Sequence, residues 1–462
     1  MLLGVLTGPD SADIRRQIEK GRLLVDGFEW RLDLFSQEAL AHFRSLKKES
    51  GKLSLFTWRS ASQNLAPYLP LEPEYCDIES NCPKTWVEEI AARYPKIRLL
   101  VSYHDFEGTP SDLDEVLSAM RNLPAYTYKI ATQARSTIDM LRLLSFVKRI
   151  GSRISGISMG YYGQPGRILG RIVGNFFDFA IVEPHPALEN AGLLTAEELR
   201  TTYRYHTLGP LTSIYALLGD PVTKSVSHIT HNAIFNEKGY NAVYVKLPLM
   251  QDQLEEFFYC AAEFPFKGFS VTMPLKESVI PFAYRIEKPV QMSRALNTFV
   301  LQNGKWLGSN TDGRAAADLL EKHEPLAHKR CIIIGAGGAA RAIAYELLQR
   351  KASIALVNRT LSRAKAFTEQ CGGEAYSLTE LDQVVHQGYD ILIHATSVGF
   401  LDREECLLQE RHLLPGKTLF EVVSKPTSLI NLAERKNCRI ILGHEHFRLQ
   451  ASYQYQFWNL TT

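Results

Sequence analysis

Between Leu3 and about Thr207, short apolar runs alternate eight times with longer segments that carry apolar residues at helical spacing. The runs are Leu3–Thr7, Gly27–Leu32, Leu53–Thr57, Tyr75–Ile78, Arg98–Tyr103, Ala125–Ile130, Ile154–Met159 and Phe179–Val182, with stretches such as Asp112–Arg121 and Thr137–Arg149 between them. Strands joined through helices run parallel. Eight such units favour a closed (β/α)8 barrel; seven would favour an open sheet. Thr207–Thr212 reads as a linker. A second region then opens with Ser213–Leu218, the turn Gly219-Asp220-Pro221, and further runs at Ala242–Leu247 and Gly268–Val271. From Cys331 the pattern becomes that of a doubly wound α/β unit. Cys331–Ile334 is a strand, Ala339–Gln349 a helix, and Ser353–Val357, Ile391–Ala395 and Thr418–Val423 are further strands.

Composition narrows the function classes. A net charge of +2 over 462 residues gives no field that draws the chain to nucleic acid or membrane. The seven cysteines, at 76, 82, 260, 331, 371, 406 and 438, form no CxxC pair and are odd in number. That pattern fits free thiols in a reduced, cytoplasmic setting and no metal site. No signal peptide is expected, because MLLGVLTGPD lacks a basic start and a small-residue cleavage site. No apolar run approaches the ~18 residues that a membrane helix needs.

In a barrel of this kind, catalytic groups converge at the C-terminal ends of the strands. Those ends carry Glu29 and Arg31, Arg59, Asp77 and Glu79, His104 and Lys129, and Arg167 lies in the loop after the seventh strand. Each alone reads as a solvated cap; a lysine and a histidine on neighbouring strands read as chemistry. Lys129 is placed at the end of its run, where the helix layer strips away water, and a desolvated amine attacks ketones. His104 moves protons near neutral pH. Three arginines suit a carboxylated, hydroxylated substrate.

The segments EWRLD (Glu29–Asp33), FTWRS (Phe56–Ser60), SYHDF (Ser102–Phe106), YKIAT (Tyr128–Thr132) and SMGYYGQPGR (Ser158–Arg167) resemble, in order, those of type I 3-dehydroquinate dehydratase. The resemblance spans nearly all of residues 1–205. It implies that Lys129 forms a Schiff base with the substrate ketone and that His104 takes the adjacent proton, then protonates the departing hydroxyl. Glu29, Arg31, Arg59 and Arg167 would hold the carboxylate and hydroxyls. Two departures bear on rate and lid contacts. Gln63 stands where the family is expected to place a histidine-orienting glutamate, and Glu189-Asn190-Ala191-Gly192-Leu193 stands in place of a closing Ser-Ala-Pro-Gly-Gln run.

In the second region, Ser225 and Ser227 lie two apart on a segment read as extended, so both hydroxyls face one way and suit a carboxylate. GFSVTMPLK (Gly268–Lys276), Ala295-Leu296-Asn297-Thr298 and Gly308-Ser309-Asn310-Thr311-Asp312 follow. Together these resemble the substrate domain of shikimate dehydrogenase, and Gly443–Trp458, with Gln450, resembles its closing helix. The resemblance implies a catalytic pair, Lys276 and Asp312, with Ser225, Ser227, Thr272, Asn297 and Gln450 binding substrate. Ser270 and Ser424 replace the Asn and Tyr usual there.

The glycine pattern Gly335-Ala336-Gly337-Gly338-Ala339-Ala340 sits between a strand and a helix, the context in which backbone cradles a pyrophosphate. After the next strand comes Asn358-Arg359-Thr360, with Arg363 and Lys365 nearby, where an NAD enzyme would place a carboxylate. Cations there suit a 2′-phosphate, hence NADP. The run Ala395–Gly399 resembles the family's nicotinamide loop, and Gly443 joins the expected cofactor contacts.

The whole resembles a bifunctional type I 3-dehydroquinate dehydratase/shikimate dehydrogenase, a lyase and an oxidoreductase for consecutive shikimate-pathway steps in aromatic amino acid biosynthesis. The expected domains are a barrel over 1–207, a substrate lobe over 208–309 that 444–462 rejoins, and a Rossmann-type NADP lobe over 310–443. The expected partners are small molecules. Alternatives are a non-catalytic regulatory relative, against which Lys129, His104, Lys276 and Asp312 argue, and a quinate-preferring dehydrogenase.

Overall fold

The computed structural model describes residues 1–59, 61–399, 406–423 and 427–460. The eight apolar runs become eight parallel strands: β1 (Leu2–Leu6), β2 (Gly27–Arg31), β3 (Leu53–Thr57), β4 (Tyr75–Glu79), β5 (Arg98–Asp105), β6 (Thr127–Gln133), β7 (Ile154–Met159) and β8 (Asp178–Ile181). Their order is β7-β6-β5-β4-β3-β2-β1-β8, a nearly closed (β/α)8 barrel. Asn175 draws β7 and β8 together. Its amide accepts the Gly156 N–H at 2.9 Å and donates to Gly156 O at 3.1 Å and Asp178 Oδ1 at 2.7 Å.

Strand alternation decides what fills the barrel. Leu3, Val5, Leu55, Tyr75, Leu100 and Phe179 share one interior cluster. Two residues further along β3, β4 and β5, the same face carries Thr57, Asp77 and Ser102, all buried. The apolar floor therefore gives way to polar groups toward the C-terminal ends of the strands.

The second region adds β9 (Ser213–Gly219), β10 (Ala242–Pro248), β11 (Phe266–Val271), β12 (Arg285–Ile286), β13 (Thr298–Gln302) and β14 (Lys305–Ser309). β13 and β14 are an antiparallel hairpin. It turns at Asn303-Gly304, both at positive φ, as a two-residue hairpin turn requires. The last sheet is parallel, in the order β17-β16-β15-β18-β19-β20. Its strands are β15 (Arg330–Ile334), β16 (Ser353–Asn358), β17 (Glu374–Ser377), β18 (Ile391–His394), β19 (Thr418–Glu421) and β20 (Arg439–Leu442). Strand order reverses between β15 and β18, which makes a crevice at their C-terminal ends.

Packing divides the chain into two units: Met1–Leu217 with Pro221–Phe266, and Leu218–Asp220 with Lys267–Thr462. Within the first, the helix Leu254–Ala261 packs on the barrel helix Thr137–Ile150, and the Thr137 hydroxyl donates to Pro248 O. Within the second, the helix Gly443–Phe457 lies along the helix Asp312–Glu321. The seven cysteines are free. Among the described residues, no helix is long and apolar enough to cross a membrane, and no cluster of His, Cys, Asp or Glu is arranged to hold a metal ion.

Replacing Asn175 with Leu leaves the Gly156 amide and carbonyl and one Asp178 oxygen without this partner inside the barrel wall. We expect a loss of about 3 kcal/mol, read as an earlier transition when the full chain is titrated with urea.

Candidate active sites

The polar end of the barrel is organised by charge pairing. Lys129 Nζ meets Asp77 Oδ2 at 2.5 Å, and both side chains are almost wholly buried. The ammonium also lies 5.1 Å from the centre of the Phe179 ring. Arg59 ties three carboxylates together: Glu79 at 2.6 Å, Asp77 at 3.5 Å and Glu29 at 3.7 Å. His104 Nδ1 lies 3.1 Å from Glu79 Oε2. Burial pushes the His104 imidazole down. The Arg59 and Lys129 charges add to that effect, and Glu79 works against it. Burial alone would raise the Asp77 carboxyl, but Lys129, Arg59 and His104 hold it far below the usual range. Arg167 is buried and its guanidinium is pushed down to about 10 by desolvation. Asp77 Oδ1, Ser102 Oγ and Arg167 Nε are buried with no hydrogen-bond partner among the described residues. A guanidinium with a free Nε and two oxygens without partners at the same end of the barrel suit a ligand with a carboxylate and hydroxyls.

Several expectations change here. Lys129 does not end its strand. β6 runs on to Gln133 because His104 and Asp105 still pair with Ala131 and Thr132, so the lysine sits mid-strand. It is paired with Asp77, not isolated among apolar groups. Gln63 is not at the histidine: it lies exposed on the turn Ser62–Leu65, and Glu79 supplies the carboxylate. The signal for Glu79 was its place two residues after Asp77, on the same face of β4. Arg31 forks onto Asp33 at 2.9 and 2.6 Å. Glu29 accepts from Thr57 Oγ1 at 3.0 Å. Gly192 has φ +78, and a Cβ there would come within 2.5 Å of Gly160 O, so the segment 189–193 is seated on the loop after β7. Its Ala191 O accepts from Arg167 at 3.0 Å.

In the second unit, Lys276 Nζ meets Asp312 Oδ2 at 2.5 Å. The other carboxylate oxygen accepts from Gln450 at 2.6 Å and from Asn297 at 2.9 Å. His446, which burial pushes down, lies 2.9 Å from Asp312 O. Asn297 is fully buried and its amide nitrogen bonds Thr311 and Asp312, so it holds the aspartate and does not project into open space. Thr272 is half-buried. Its N–H donates to Leu218 O at 2.9 Å. Ser270 donates to Gln454 at 3.1 Å. In the first unit, Ser225 and Ser227 are not on an extended segment. Ser227 opens the helix Ser227–Glu237, and the two hydroxyls meet at 2.9 Å. Ser424 lies outside the described residues.

The glycine turn has the shape that a pyrophosphate needs. Gly335 has φ +114, and a Cβ there would lie 2.7 Å from Ala395 O. Gly337 faces open space and opens the helix Gly338–Gln349, whose first N–H groups have no side-chain cap. A Cβ on Gly338 would lie 3.1 Å from Lys276, so the helix start also abuts the lysine paired with Asp312. Arg341 clamps this region through Ser293 O, Ala336 O and Glu277 at 2.8, 3.1 and 2.8 Å. Ala336 and Ala339 line the turn. After β16, Asn358 donates to Thr360 O at 2.9 Å, and Arg359, Arg363 and Lys365 are exposed. A Cβ on Gly443 would lie within 2.6 Å of the Val422 and Val423 carbonyls, so the closing helix starts in close contact with the end of the sheet.

Type I 3-dehydroquinase matches residues 4–210, the shikimate dehydrogenase substrate binding domain 217–299, and shikimate/quinate 5-dehydrogenase 318–413. The chain is 32% identical to the shikimate biosynthesis protein AroDE of Chlamydia pneumoniae, over 99% of this chain and 95% of that protein. It is 30% identical to the chloroplastic bifunctional 3-dehydroquinate dehydratase/shikimate dehydrogenase of Arabidopsis thaliana, over 94% and 77%. Shikimate 5-dehydrogenase from Thermus thermophilus, solved with NADP(H) and shikimate, is 25% identical with a TM-score of 0.50, over 54% of this chain and 94% of that one. With a lysine–carboxylate centre in each unit and relatives that run nearly its full length, the chain belongs to the family of bifunctional 3-dehydroquinate dehydratase/shikimate dehydrogenases.

Proposed function

We propose that the barrel dehydrates 3-dehydroquinate to 3-dehydroshikimate through a Schiff base on Lys129, and that the second site reduces that ketone to shikimate with NADPH. The observation that carries this reading is the recurrence of one device. Each site keeps its lysine within 2.5 Å of a buried carboxylate. In the barrel, Arg167 takes the substrate carboxylate and Arg59 holds the acidic groups in register. Neutral His104, oriented by Glu79, removes the proton next to the iminium and returns it to the leaving hydroxyl. The iminium withdraws electrons and makes that proton acidic.

In the second site, bound NADPH supplies the hydride. Lys276 donates to the carbonyl oxygen on which negative charge develops, and Asp312 fixes the lysine. Asn297, Gln450 and His446 fix Asp312. Thr272 offers its hydroxyl to the substrate. Gly335, Ala336, Gly337, Gly338 and Ala339 cradle the pyrophosphate, and Gly443 lets the closing helix start close to the sheet. Arg359, next to Asn358 and Thr360, meets the 2′-phosphate. Seven free thiols fit a cytoplasmic enzyme.

Borohydride added with 3-dehydroquinate is expected to leave a stable adduct on Lys129, seen by peptide mass spectrometry; absence of the adduct sinks the dehydratase reading. Lys276→Ala and Asp312→Ala are each expected to lower shikimate-dependent NADP reduction on the order of 10³-fold while dehydration continues. Arg359→Ala is expected to raise the KM for NADP about tenfold and leave that for NAD unchanged. Glu79→Gln removes the group that raises the His104 pKa. The acid limb of the dehydration profile is then expected to move to lower pH, with kcat down about 100-fold. A limb that stays in place would show that Glu79 does not set the histidine.

A further inference from the structure

Schiff-base formation has a proton problem at Lys129. An ammonium has no lone pair, so it must lose a proton before its nitrogen can attack. In the complete step, ammonium plus ketone gives iminium plus water. The nitrogen begins with three hydrogens and keeps one; the other two leave on the expelled oxygen. Nothing is exchanged with solvent overall, but a group that touches the nitrogen has to carry both protons.

Three carboxylates line this end of the barrel, and two are occupied elsewhere. Glu29 accepts from Thr57 Oγ1 at 3.0 Å. Glu79 is taken by Arg59 at 2.6 Å and His104 at 3.1 Å. Among the described residues, Asp77 alone bonds the lysine, at 2.5 Å. Its Oδ1 is buried with no hydrogen-bond partner among the described residues, so the carboxylate keeps one oxygen on the nitrogen and one uncommitted by them. Arg59, 3.5 Å from Oδ2, keeps the carboxylate ionised until the ketone arrives.

We propose that Asp77 is a catalytic residue, the proton carrier of Schiff-base formation. Asp77 takes one proton from the ammonium, the freed amine forms the C–N bond, and Asp77 protonates the resulting alkoxide. It then takes a second proton from the carbinolamine nitrogen and passes it to the hydroxyl. The C–O bond breaks, water leaves, and the nitrogen lone pair closes the iminium. Asp77 ends as a carboxylate beside the new cation. This assignment rests on the Schiff-base reading above and goes beyond it by naming the base for the first half of the reaction.

The test uses the full chain, with 3-dehydroquinate and borohydride, under rapid mixing. For Asp77→Asn we expect adduct formation on Lys129 to slow on the order of 100-fold or more. The deuterium isotope effect for the proton that His104 removes should fall toward unity, because an earlier step now limits turnover. Shikimate oxidation at the second site is expected to be unchanged. Asp77→Glu should restore trapping to within about tenfold of the wild type. Trapping by Asp77→Asn at the wild-type rate, or a fall in kcat with the isotope effect retained, overturns the proposal. If Asp77→Asn melts early, Asp77→Glu decides, and loss of trapping there counts against it. Failure of the wild type to trap at all would instead refute the Schiff-base reading.

Discussion

A lysine ammonium drawn wholly or partly out of water needs a carboxylate, and much of both sites is built to meet that need. Taking two charges out of water costs several kcal/mol, which close pairing and further hydrogen bonds offset. In the barrel the further bonds come from Arg59, which spans the acidic groups of β2 and β4. In the second unit they come from Asn297 at the start of a hairpin and from Gln450 and His446 on the last helix. The C-terminal helix is therefore more than a lid: its side chains fix an aspartate more than a hundred positions earlier in the chain.

Most of the architecture was legible in the sequence because buried parallel strands are apolar runs, and apolar runs are easy to find. The exceptions have physical reasons. The apolar run of β6 stops at Ile130 and Ala131-Thr132-Gln133 does not continue it, yet long partners on both sides keep the strand extended. β17 is half-exposed at the edge of its sheet and its residues, Glu-Ala-Tyr-Ser, carry no apolar pattern. The β13–β14 hairpin did have a signal, Asn303-Gly304, overshadowed by the motifs on either side.

The sites were legible as residue types and much less so as pairings. Which charges sit at strand ends follows from counting; which charge touches which depends on tilt and register. Glu79 and Gln63 illustrate the difference. Both lie near the right strand, but Glu79 shares a face with Asp77 while Gln63 turns outward. Asn297 was expected to face substrate, and its full burial instead makes it part of the frame around Asp312.

The barrel helix Thr137–Ile150 follows directly on the strand that carries Lys129. On its outer side it holds the helix Leu254–Ala261, and its Ser145 and Lys148 bond Glu263. A chain cut at the linker near residue 207 would keep the barrel motifs but strip this helix of the helix packed on it. The packed unit that holds the barrel runs past the linker, so the two activities are not divided where their motifs divide. Their division of labour is better dissected by single substitutions than by scissors.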